Sequence, residues 1–202
     1  MTLSFGREIV RAMSKRSDKS RARILAPLPG GTQAKALEKV GSTGLDRLRW
    51  LLGLLNRLSD RSAAPTEAER RELEAQVAVF CEPIGNLTGG QNSKLSYTDA
   101  MDIGQQFSEA IIVNLGGSSP DINLPPITLT FDRGFKPLYM GAPQKLFPWA
   151  IAKLIDTEGH RIAMCARSGC GKLFARRKRG RYCGVKCAQV EHFARYVARH
   201  GS

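Results

Sequence analysis

"CARSGCGKLFARRKRGRYCGVKC", residues 165–187, holds four of the chain's five cysteines and eight of its lysines and arginines. Four thiolates repel one another, so a stretch that gathers them needs a cation among them. The spacing Cys165-x4-Cys170-x12-Cys183-x3-Cys187 makes two close pairs a dozen residues apart, the layout of a four-thiolate structural zinc site. Each pair must offer two sulfurs to neighbouring vertices of one tetrahedron about 2.3 Å from the metal, which demands a tight local turn. Ser168, Gly169 and Gly171 supply backbone freedom around the first pair, expected to form a knuckle. Cys183 and Cys187 stand at i and i+4, so a helix would place them on one face. Two disulfides are the competing use of four cysteines, but they suit secreted chains, and the opening "MTLSFGREIVRAM" lacks the continuous apolar stretch of a secretory signal. One structural Zn2+ on Cys165, Cys170, Cys183 and Cys187 is therefore expected, with iron left open by ligand type alone.

Between the pairs, "KLFARRKRGRYC" reads as strand, basic turn, strand. Knuckle, hairpin and helix in that order predict a treble-clef finger over residues 159–202. Counting 100° per residue from Cys187, Val190, Ala194, Val197 and Ala198 fall on an inward face. Gln189, His192, Arg195, Tyr196 and Arg199 fall opposite, the residue types a helix in a major groove uses. Lys172, Arg176, Arg177, Lys178, Arg179, Arg181 and Lys186 lie on or beside the hairpin, placed to grip phosphates without reading sequence. DNA is the expected partner. Structured RNA and an acidic protein surface are the alternatives, and charge does not separate the two nucleic acids.

Outward from the finger the charge changes sign. The 202 residues carry a net +13; residues 161–202 hold 11 basic and 1 acidic side chain (+10), residues 50–160 hold 9 and 13 (−4), and residues 1–49 hold 11 and 4 (+7). The ends read as surfaces for a polyanion and the middle as an ordinary folded body. Residues 1–44 are expected to be a basic, flexible segment with a short helix at most, "FGREIVRAMSKR", because "APLPGGT" and "KVGSTG" are breaker-rich. Residues 45–158 are expected to be a mainly helical body, suited to a sensor or dimerisation role. "GLDRLRWLLGLLNRLS" stripes Leu45, Leu48, Leu51, Leu52, Leu55 and Leu58 on one side of a helix. "PTEAERRELEAQVAVFCEPI" opens with Thr66 and Glu69 spaced as a capping box and turns Leu73, Val77, Phe80 and Cys81 inward. A third helix covers "TDAMDIGQQFSEAIIVNL" with Thr98 as its cap, and "ITLTF-DRG-FKPLYM" alternates as a β-hairpin. "LFPWAIAKLIDTEG" is a further helix with Pro148 in its first turn. The fold class is thus mainly α with a small β-hairpin, a helical body followed by the C-terminal zinc finger. The body shows no phosphate loop, nucleophile elbow or H-E-x-x-H, and Cys81 sits on an apolar stripe as a buried thiol, so no enzyme activity is expected. No apolar run approaches the roughly 18 residues of a spanning helix. A cytoplasmic chain without a membrane partner is expected, and a homodimer is compatible with the body.

From "PWAIAKLIDTEGHRIAMC" through "YVARH" the chain resembles the CGNR-type zinc fingers of bacterial transcription regulators. The resemblance covers about a quarter of the chain and rests on a helix leading to a short strand, Cys165, Cys170-Gly-x-Leu-Phe, a basic hairpin, an aromatic before Cys183 and a basic helix after Cys187. It implies those four cysteines as ligands, Leu173 and Phe174 packing below the metal, DNA binding, and a helical N-terminal partner domain. Ala188-Gln189-Val190 stand where the family has Gly-Asn-Arg, so the family's contacts by that Asn and Arg do not carry over. "YCGVKC" is also similar to the FCS and MYND treble clefs, though the second ligand set of a MYND finger is missing.

Overall fold

The computed structural model describes residues 30–59, 65–83, 85–87, 95–131, 133–134 and 137–200. The expected short helix over residues 5–16 and the side chain of Leu58 lie outside them. Among the described residues six α-helices dominate: α1 Gly30–Val40, α2 Gly44–Ser59, α3 Glu67–Cys81, α4 Tyr97–Leu115, α5 Pro143–Glu158 and α6 Val185–His200. The strands are β1 Gly85–Leu87, β2 Thr128–Phe131, β3 Pro137–Gly141, β4 Ile162–Met164 and β5 Leu173–Ala175. The chain is mainly helical with small sheets and a C-terminal cysteine cluster, as its sequence predicts. No described helix is long and apolar enough to cross a membrane.

The leucine stripe of α2 builds the centre. Leu48, Leu51, Leu52 and Leu55 are buried, each contributing about 1.5–3 kcal/mol of apolar burial. Around them pack Leu73, Val77, Phe80 and Cys81 of α3, Phe107 and Ile111 of α4, and Leu146, Phe147, Ala150 and Ile151 of α5. Phe80 links three helices: its ring lies 4.9 Å from that of Trp50 and meets that of Phe147 edge-on at 5.8 Å. Trp50 buries an indole N–H, which donates to Gln76 Oε1 at 2.8 Å; Gln76 in turn donates to Glu72 at 2.8 Å, and Lys39 pairs with Glu72. The Thr66–Glu69 capping box of α3 forms in full. The Thr66 backbone N–H and hydroxyl donate to the Glu69 carboxylate and hold its pKa below the usual range.

Four expectations are corrected here. Residues 30–40, read as linker, form α1, whose Ala36 and Val40 join the core. The "breakers" after it are caps: Gly41, at φ 78°, returns its N–H to Leu37 O at 2.8 Å, and the Thr43 hydroxyl accepts from Asp46 N at 3.1 Å. Helix α4 starts at Tyr97, so its cap is Ser96, accepting from Asp99 N at 3.0 Å, and not Thr98. Helix α5 starts at Pro143, which leaves Pro148 inside and buried. An interior proline costs about 3 kcal/mol, which the burial of Leu146, Phe147, Ala150 and Ile151 around it outweighs.

The expected hairpin at 127–140 is present as β2 antiparallel to β3, from Thr128↔Met140 to Phe131↔Pro137. Sequence reading missed β1, which adds parallel to the other edge of β3 and gives the order β1-β3-β2. Strand β2 pairs without burying its apolar side: Leu129 and Phe131 remain exposed.

Candidate metal centre and cationic surround

Helix α5 runs through a 3-10 turn, Gly159–Arg161, into β4. Strands β4 and β5 are antiparallel, Ile162↔Ala175 to Met164↔Leu173, and the ladder continues through Cys165 N to Lys172 O at 2.9 Å. The first cysteine pair sits in the loop that closes this hairpin. Gly169 and Gly171 adopt φ 71° and 61° there, a left-handed backbone that a Cβ disfavours. The second pair brackets a helix start. Cys183 lies two residues before α6 and Cys187 lies in its first turn. The expectation that both stand on one helical face is thus modified: only Cys187 is helical. The β4–β5 hairpin, the loop at its tip and the start of α6 thus bring the four cysteines together.

The strand expected after the basic turn does not form. Beyond Ala175 the chain passes through bends at 177–179 and 182–184, and the partner of β5 is β4 instead. The reason lies in the edges of β5. One edge is taken by β4. On the other, the Leu173 N–H donates to Asn56 Oδ1 at 3.0 Å, and Asn56 Nδ2 donates to Leu173 O at 2.8 Å. An asparagine of α2 thus occupies the edge that a second strand would have used. Leu173 points into the core of the body, whereas Phe174, next along the strand, is half-buried on the other face.

The four Sγ atoms lie within 4.8 Å of one another. The separations are 3.5 Å for Cys183–Cys187 and 3.8 Å for both Cys170–Cys183 and Cys170–Cys187. A tetrahedron with metal–sulfur bonds near 2.3 Å has edges of about 3.8 Å, whereas a disulfide needs about 2.05 Å. The donor set and spacing fit one four-coordinate metal ion and not two bridges. Donors from the protein also aim at the sulfurs: Cys183 N–H to Cys165 Sγ at 3.4 Å and Arg167 Nη1 to Cys187 Sγ at 3.8 Å. Burial raises the Cys165 thiol, but the N–H groups of Cys183 and Arg167 outweigh it and bring the pKa down to about 7. Burial and the neighbouring thiols push Cys183 up to about 12. Four negative sulfurs at this spacing would need a cation among them, and the four cysteines could hold one.

The other predicted site residues all reach solvent. Lys172, Arg176, Arg177, Lys178, Arg179, Arg181 and Lys186 are exposed, as are Gln189, His192, Arg195, Tyr196 and Arg199. Lys178, at the tip of the basic loop, has φ 118°, a strained value for a residue with a Cβ. Arg195 is already engaged, donating to Glu191 and to the Tyr182 hydroxyl at 3.3 Å each. The expected inward face of the last helix is corrected: α6 buries no residue, and Val190 and Val197 are exposed with Ala194 and Ala198. Among the described residues its middle reaches the loop before it, through the His192 ring 6.4 Å from that of Tyr182 and through Arg195. Sequence reasoning missed Asn56 and Arg167. Arg167 was legible, being a cation between two ligands; Asn56 was not, because its partner lies 117 residues away. Compared with known proteins, the chain matches no family model, no curated protein and no solved structure.

Proposed function

We propose that this chain is a zinc-organised DNA-binding protein of the kind that regulates transcription. The observation that carries the reading is the placement of charge: seven exposed cations between Lys172 and Lys186 surround a cluster fitted for one metal ion. They belong to a segment of net +10, while residues 50–160 are net negative. Solubility does not require such an asymmetry, and a phosphate backbone complements it. Zinc suits four thiolates in a tetrahedron, and a closed four-sulfur shell leaves no position for water or substrate, so the metal's role is structural. The basic loop would grip phosphates, and α6, free of packing, would enter a groove with Gln189, His192, Arg195, Tyr196 and Arg199. The resemblance to the CGNR-type fingers agrees with this division of labour.

Binding of a labelled duplex, followed by anisotropy against salt, tests the reading. With about six phosphate contacts, log affinity should fall against log salt with a slope of about −5, and stripping the metal should abolish binding. Arg177→Ala should weaken all duplexes alike, whereas Gln189→Ala should alter preference among them. No binding to any duplex, or binding indifferent to salt, sinks the proposal. Structured RNA that displaces duplex DNA at equal salt would reassign the partner.

A further inference from the structure

Helix α6 carries a feature that phosphate gripping does not use. Phe193 and Tyr196 are 69% and 61% exposed, and they stand about 60° apart around the helix. His200 follows one turn later, its ring 4.7 Å from that of Tyr196. The three rings form a strip about 10 Å long on a helix with no buried residue. Rings this open contribute little to the fold. Arg199 is exposed on the same helix, and Arg195 and His192 link that helix to Tyr182 at the end of the cationic loop. A second copy of α6 is a poor cover for the strip, because each copy belongs to a segment of net +10 and two such segments repel. A ligand that offers flat π-faces together with negative charge is a better one. Paired DNA presents only base edges in its grooves, and its base faces are hidden in the stack.

We infer that the strip Phe193–Tyr196–His200 stacks unpaired bases, so that the preferred ligand is DNA with an open or single-stranded segment rather than a fully paired duplex. The inference rests on the nucleic-acid reading above and narrows it. The cationic loop holds the backbone, and the aromatic strip takes the bases that pairing has released; stacking of this kind tolerates any sequence, since every base has a π-face.

The test compares, for the full metal-loaded chain at one salt concentration, a paired duplex, the same duplex with a central unpaired bubble, and one of its single strands, with an RNA of the same sequence as a fourth arm. The bubble and the single strand should bind about tenfold tighter than the duplex. Phe193→Leu and Tyr196→Leu should each collapse that ratio, because leucine keeps an apolar contact but has no ring, whereas Tyr196→Phe should preserve it. Both positions are exposed, so metal content and helical circular dichroism should match those of the parent chain. A ratio unchanged in the leucine variants overturns the strip while leaving salt-dependent duplex binding standing. Loss of binding to every nucleic acid removes the parent reading along with it. Capture of the RNA alone overturns DNA as the occupant.

Discussion

The five cysteines are one residue type with two fates, and their surroundings separate them. Cys81 lies on α3 in the core with no exposed surface. Burial pushes its thiol up to about 12 against the opposing pull of Arg47, so it is a space-filling side chain and inert. The other four share one small volume that could hold a single metal ion. Alkylation followed by mass spectrometry should therefore show three stages. The metal-loaded chain should resist labelling, a chelator should expose four thiols, and only denaturant should release the fifth. Labelling of Cys81 in the native chain, or no change on chelation, would contradict the assignment. Both fates were legible in the sequence, Cys81 from its apolar periodicity and the four from their spacing.

At the scale of elements, the helices formed where apolar stripes and caps agreed, and the misreadings arose where one residue type serves two purposes. Glycine and threonine at "KVGSTG" read as chain breakers, yet Gly41 closes α1 and Thr43 opens α2; two caps back to back look like a linker. The hydrogen bond between Trp50 of α2 and Gln76 of α3 is another relation that periodicity does not reveal, since Gln76 is polar on a stripe of apolar residues and still 6% exposed. Gln76→Leu should strip the indole N–H of its acceptor and cost about 1–3 kcal/mol, read as a lower midpoint in urea at an unchanged slope. A variant as stable as the parent would show that the pair is dispensable.

For the whole molecule, the decisive contact is the one between body and finger. Asn56 meets both backbone groups of Leu173, and Leu173 and Ile162 share the core of the helices. The first half of the C-terminal segment is thus anchored to α2, while the second half, with α6, meets it at the cysteine cluster. Asn56→Ala leaves an N–H and a carbonyl of β5 without their partners and should cost about 1–3 kcal/mol. Hydrogen exchange should then quicken in residues 162–175 while α3 and α4 stay protected, and the metal should leave faster on chelation. Uniform exchange across the chain would mean that this anchor does not couple the two parts.

What the sequence determined by itself is everything that rests on local spacing: four ligands in two pairs, the leucine stripe, the capping box, and the division of the chain into a negative middle and positive ends. These are legible because a helix repeats every 3.6 residues and a metal shell imposes short fixed separations on its ligands. Only the tertiary structure decided which strand pairs with β5, that Asn56 closes its other edge, and that α6 stands clear of the body with its rings in solvent. Those outcomes depend on which surfaces remain unfilled after the core has closed, a competition among residues more than a hundred positions apart that no local pattern records.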